Sequence, residues 1–154
     1  MKNHFITPLK NFVCLPYVKN GKWDGENWIT LTDLVFRLKC GEMITIKSGF
    51  VTNFGSIPAL VRPFLDRAGK SLRGFVAHDY SYGKDIGLTR KEADNLLYEL
   101  GREDGEGWWD SQMIYRGLRL GGWTHWQKAG IQFEKPGREV IEYIARSNGY
   151  KLVK

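Results

Sequence analysis

The chain has 154 residues, 42% of them hydrophobic and 14% aromatic, which fits one globular domain with a proper core and leaves too little for two. Lys and Arg number 23 against 17 Asp and Glu, a net charge of +6 spread without any run of five like charges, so it reads as a solubilising surface with a mild bias toward anionic partners. Cys14 and Cys40 sit in no CxxC or zinc-type spacing; this excludes a disulfide framework and a structural zinc, and points to reduced thiols in a cytoplasm.

The opening stretch, MKNHFITPLKNFVCLPYV, carries Pro8 and Pro16 among polar residues and has neither a continuous apolar run nor a small-residue cleavage site, so no leader is expected. No segment is apolar enough to span a bilayer. Asn20-Gly21-Lys22 reads as a tight turn closing a hairpin between residues 13–18 and 28–34. From Trp28 to Thr52 the chain is rich in Ile, Val, Thr and Phe and punctuated by Gly41 and Gly49, which predicts two or three antiparallel strands. Met43-Ile44-Thr45-Ile46-Lys47 shows no clean alternation that assigns its buried face.

After Thr52 the character changes. Ser56-Ile57-Pro58 resembles an N-cap with an early-turn proline, opening a short helix interrupted at Pro63. Helices follow at 71–82, at 89–101 with a Thr89/Glu92 capping box, at 108–120, and at 138–147, where Val140, Ile141, Ile144 and Ala145 share a face that ends at Asn148-Gly149. Strands first and helices afterwards is an α+β order, with a small N-terminal antiparallel sheet packed on a C-terminal helical part that contains an αα-hairpin. The expected organisation is one domain over residues 1–128 and a helical appendage over 129–154, joined through the polar stretch 127–138. Six tryptophans fall in pairs or near-pairs, Trp23 with Trp28, Trp108 with Trp109 and Trp123 with Trp126; core or interface filling is the ordinary use of such rings, and an aromatic platform the alternative.

The chemistry gathers at His78-Asp79-Tyr80-Ser81-Tyr82-Gly83 and at Thr89-Arg90-Lys91-Glu92-Ala93-Asp94. On a helical wheel Leu72, Phe75, Val76, Asp79 and Tyr82 share one face, which puts Asp79 where the core should be and requires a partner or a cation for it. The loop 83–88 is short enough to lay the two helices antiparallel. At 1.5 Å per residue, His78 and Asp94 then stand at matching heights, each roughly 6–8 Å from the loop. A carboxylate facing an imidazole sets its tautomer and raises its basicity, the arrangement of a general base with an orienting acid. Tyr82, one turn beyond His78, reaches the same acid. The competing reading is a buried polar network that only pins two helices together. His4 at the terminus and His125 among tryptophans are read as incidental.

His78-Asp79-x-x-Tyr82, with an acid on the next helix in Ala93-Asp94-x-x-Leu97, resembles the active-site helices of the secreted phospholipases, including the compact version in parvovirus capsids. The resemblance implies that His78 is the base activating water, that Asp94 orients it with support from Tyr82, and that Asp79 ligates calcium. The nearest counterpart of the calcium loop is Gly49-Phe50-Val51-Thr52-Asn53-Phe54-Gly55-Ser56, giving Asn53 and Gly55 as further metal candidates. Over a longer span, Gly49 through Pro58, His78-Asp79, Ala93-Asp94 and Tyr115 through Trp123 resemble, in order, a phage and prophage family of domains of unknown function. Asn53 stands where that family usually carries Asp, which lowers charge at the site while keeping an oxygen ligand.

These readings lead to two function classes. One is a phage-encoded, calcium-dependent hydrolase acting on anionic phospholipid or another envelope ester, with His78, Asp94 and Tyr82 catalytic and Asp79, Asn53 and Gly55 at the metal. The other is a non-enzymatic virion component, a tail or connector subunit in contact with other virion proteins. Either is made in the host cytoplasm, and the second is carried in the particle. Nucleic acid is not an expected partner, since only the net charge and the aromatics speak for it.

Overall fold

A computed structural model describes residues 4–54, 71–121, 126–128, 130–135, 142 and 149. After a 3-10 turn at Leu9–Asn11 come β1 (Cys14–Lys19), β2 (Lys22–Thr30), β3 (Leu34–Arg37), β4 (Met43–Ile46) and β5 (Phe50–Thr52). Three helices follow, α1 (Leu72–Gly83), α2 (Arg90–Glu103) and α3 (Trp108–Gly121), and then a two-residue strand, β6 (Gln132–Phe133). The fold is α+β: an antiparallel sheet of order β1-β2-β5-β6, a separate β3-β4 hairpin, and a helical part whose α1 and α2 form an αα-hairpin.

The β1-β2 turn is Asn20-Gly21, both at positive φ. That is the two-residue turn whose twist matches the flanking strands. β2 starts at Lys22, directly after the turn, six residues earlier than the hydrophobic pattern suggests. Pro16 is tolerated in β1 because β1 is an edge strand, and the register shifts between Pro16 and Val18. In β4 the alternation is clean after all: Ile44 and Ile46 are buried, Met43 and Thr45 exposed. Residues 132–133, within the stretch read as a connector, pair with β5 and add the fourth strand. Gly49 is needed there twice over. Its φ is +90°, and a Cβ on it would lie 2.2 Å from the carbonyl oxygen of Glu134.

The main core joins the β-hairpins to α1 and α2 through Phe36, Ile46, Phe50, Val76, Tyr80 and Leu100, while Phe75, Leu97, Ile114 and Leu118 seal α1 and α2 against α3. α1 and α2 approach closely at Gly74, where a Cβ would meet Leu97 Cδ1 at 3.0 Å. α2 opens on the expected capping box, with Thr89 N–H donating to Glu92 Oε2 at 2.8 Å and Glu92 N–H returning to Thr89 Oγ1 at 3.3 Å. Two predicted helices, the one from Ser56 and the one at 138–147, lie outside the described residues, as does most of the proposed appendage. Cys14 is buried and Cys40 exposed, both as free thiols, and burial pushes the Cys14 thiol up to about 12. No described helix is long and apolar enough to cross a membrane.

Candidate active site

Ionised carboxylates are rarely buried without several donors around them, so the most buried acid is the natural centre of a polar site. That acid is Asp94, on the second turn of α2, at 0% exposure. Its Oδ1 receives the Tyr82 hydroxyl at 2.6 Å and lies 3.0 Å from His78 Nε2. Its Oδ2 receives Arg119 Nη1 from α3 at 2.8 Å, and Arg90 Nη1 stands 3.9 Å from the same oxygen. Burial pushes this carboxyl up, but the hydrogen bonds from His78, Tyr82 and Arg119 together outweigh it and hold Asp94 below the usual carboxylate range.

An ionised carboxylate can only accept, so the proton between the pair sits on His78 Nε2, and in the neutral form of the ring the lone pair is on Nδ1. No described residue hydrogen-bonds Nδ1. The ring is 1% exposed and stacks on Tyr82 with centroids 4.1 Å apart. Tyr82 in turn meets Trp126 edge-on at 4.9 Å, and its backbone carbonyl accepts from Gln127 N–H at 2.9 Å. Burial and then the hydrogen bond to Asp94 push the Tyr82 hydroxyl well above its ordinary range, so it stays a proton donor.

The loop arithmetic thus places His78, Tyr82 and Asp94 together as expected. Asp79 finds the partner that its place on the wheel requires, without being fully buried. It is half-buried and accepts the Thr52 hydroxyl on Oδ2 at 2.5 Å, tying α1 to the end of β5. The wheel assumes one buried face, whereas α1 is wedged between sheet and α2 and buries nine of its 12 residues. Asn53 follows Thr52 and is exposed; Gly55, Ser56 and His125 lie outside the described residues. Among the described residues no group of three His, Cys, Asp or Glu side chains is arranged to hold a metal ion. Asp79 with Asn53 is short of the six to eight oxygens calcium takes. Sequence reasoning missed Arg119 and Arg90. The signal was available in part: a fully buried acid needs more than one donor, and Arg119 directly follows the buried Leu118 on the inner side of α3. Arg90 also donates to the carbonyls of Leu118 and Arg119 at 3.3 and 3.5 Å, so it caps α3 as well.

Fold and site together define the class: a small α+β protein whose helical hairpin buries a histidine–aspartate pair clamped from a third helix. The chain belongs to the family described as Protein of unknown function (DUF1353), whose model matches residues 28–118. The match runs from β2 into α3 and takes in His78, Tyr82 and Asp94, stopping one residue before Arg119. No curated protein and no solved structure matches the chain.

Proposed function

We propose that the protein is an ester hydrolase of phage origin in which His78 is the general base. The observation that carries this reading is the 3.0 Å contact of Nε2 with the buried, ionised Asp94, which in the neutral form of the ring leaves the lone pair on Nδ1. A water at Nδ1 gives up a proton as its oxygen attacks the ester carbonyl; when the adduct collapses, the acyl C–O bond breaks and the departing alkoxide takes the proton from Nδ1. Asp94 acts as a positioning residue that favours the imidazolium formed in between, and Tyr82 and Arg119 keep that carboxylate in place. The described residues do not by themselves make a calcium site, and the proton path runs through His78. The net charge of +6 and the likeness of the His78/Asp94 helices to secreted phospholipases favour an anionic lipid or another envelope ester as substrate.

The test is release of fatty acid from anionic phospholipid vesicles, with calcium present, by wild type and by His78→Gln of matched thermal stability. The expected result is turnover by wild type and a drop of at least about a hundredfold in the variant. Equal rates, or no turnover by wild type on vesicles and on short-chain esters alike, would remove the reading.

A second reading, a structural subunit of a virion, is favoured by the apolar residues left exposed on α3. Trp109 is 72% exposed and Leu120 75%, and Trp108 and Met113 are also open, so of the core and interface uses expected of paired tryptophans only the second fits Trp108 and Trp109. Stoichiometric copies in purified particles would support it, and absence from particles would end it.

A further inference from the structure

Helix α3 turns one side inward through Ile114 and Leu118, which seal it against α1 and α2. Its exposed positions are Trp108, Trp109, Met113, Arg116 and Leu120. The last four recur at i, i+4, i+7 and i+11. At about 3.6 residues per turn they fall within about 60° of the helix circumference, a straight stripe about 16 Å long on the side away from Ile114 and Leu118. The most open of them, Trp109 and Leu120, stand at its two ends. Trp108 meets Trp109 edge-on with ring centroids 4.7 Å apart, so two indoles stand together at one end. Neither indole N–H has a hydrogen-bond partner among the described residues. The sole carboxylate of the helix, Asp110, is half-buried and lies near Glu106. The exposed face therefore carries four large apolar side chains and one cation, with no acid.

Size and charge choose what covers such a face. A stable protein interface takes about 800 Å² and roughly 20–30 residues from each side, and five residues on one convex helix supply a small part of that. A second copy related by a two-fold axis would bring Arg116 of both copies into one apolar seam with no carboxylate to meet them. A bilayer surface demands neither a large area nor a matching shape. Apolar side chains enter the boundary between headgroups and acyl chains, indoles settle at headgroup level with the N–H toward polar groups, and an arginine on the same face reaches the phosphates. The net charge of +6 draws the protein to anionic headgroups. We infer that the exposed face of α3 seats the protein on anionic lipid bilayers, with Trp109, Met113 and Leu120 in the interface and Arg116 at the lipid phosphates. This surface stands apart from the ester reading, since it needs neither His78 nor turnover; where both hold, α3 brings the enzyme to its substrate.

The experiment is cosedimentation with vesicles of ether-linked lipids, which hold no ester to cleave, made of phosphatidylcholine alone or of equal parts phosphatidylcholine and phosphatidylglycerol. Wild type is compared with Trp109→Gln/Leu120→Gln and with Arg116→Gln. All three positions are exposed and outside the His78/Asp94 network, so the variants should keep the wild-type melting temperature. Wild type is expected to bind the anionic vesicles and the double variant to bind them at least about tenfold more weakly. Arg116→Gln should lose about fivefold on anionic vesicles alone. A wild type that stays in solution, a double variant that binds as well, or equal binding to neutral and anionic vesicles would overturn the inference. A dimer that the double variant dissociates would assign the face to a second copy, and Trp109 shielded from hydroxyl radicals inside purified particles would assign it to a virion protein; either overturns it too. Vesicle binding with no turnover of any ester leaves this inference standing and removes the hydrolase, and turnover of short-chain esters without vesicle binding does the reverse.

Discussion

The Tyr82 hydroxyl lies 2.6 Å from the same Asp94 oxygen that sits 3.0 Å from His78 Nε2. One carboxylate oxygen therefore serves both members of the α1 turn, and Tyr82 fixes the carboxylate against which the imidazole is aligned. Tyr82→Phe removes one charge-assisted hydrogen bond and leaves the ring packing intact. The variant should be less stable by about 1.5–3 kcal/mol in urea unfolding, and ester turnover should fall while the pH profile keeps its shape. A change below about 0.5 kcal/mol would mean the hydroxyl is not holding Asp94.

Asp94 gives an acid-side signature. Its folded-state carboxyl lies below its unfolded value because the hydrogen bonds from His78, Tyr82 and Arg119 outweigh burial. Its contribution to stability is thus complete above the ordinary Asp range and is lost as pH falls through the lower folded value. Asp94→Asn should cost about 3–5 kcal/mol at pH 7, since it leaves Arg119 and His78 without their anion. The gap to wild type should narrow as pH falls below the usual Asp range, as followed by chemical unfolding across pH.

Glu106 predicts the opposite sign. This carboxyl is buried in the loop between α2 and α3, bonded by Ser71 on Oε2, while its Oε1 has no hydrogen-bond partner among the described residues. Burial pushes it up more than Ser71 and Ser111 pull it down, and the nearby Asp110 charge adds to the rise. Its stability contribution is present below the unfolded Glu range and lost as pH rises through the folded value. Glu106→Gln should melt above wild type at about pH 8 and match it or fall below at about pH 4. A wild type more stable than the variant on the alkaline side would refute this.

Gly49 is a backbone requirement. Gly49→Ala combines a left-handed φ with a clash against the Glu134 carbonyl, where the Gly49 carbonyl also accepts from Glu134 N–H at 2.8 Å. We expect destabilisation of about 2 kcal/mol or more and earlier proteolysis at the β5-β6 pairing. A melting temperature equal to that of wild type would contradict it.

How much of the molecule is legible in its sequence depends on range. The helical hairpin and the His78/Asp94 level follow from a short loop and about 1.5 Å per residue, because both are local quantities. That Asp79 needs a partner follows from the wheel, but that the partner is Thr52 does not, since a wheel carries no knowledge of which strand covers α1. Arg119 stays hidden because its partner lies 25 residues away on another helix, a contact set by tertiary packing. The strand β6 is hidden for the same reason. Two residues without alternation carry no strand signal of their own, and only β5 makes them one.

The most direct test of the central claim is whether the Nδ1 lone pair of His78 can be reached by a reactant. Treating the folded protein with a small α-haloketone and mapping the adduct by mass spectrometry should place it on His78 Nδ1, with ester turnover falling in step with modification. A His78 that stays unmodified while His4 reacts would show the histidine–aspartate pair to be a lock between two helices and not a base.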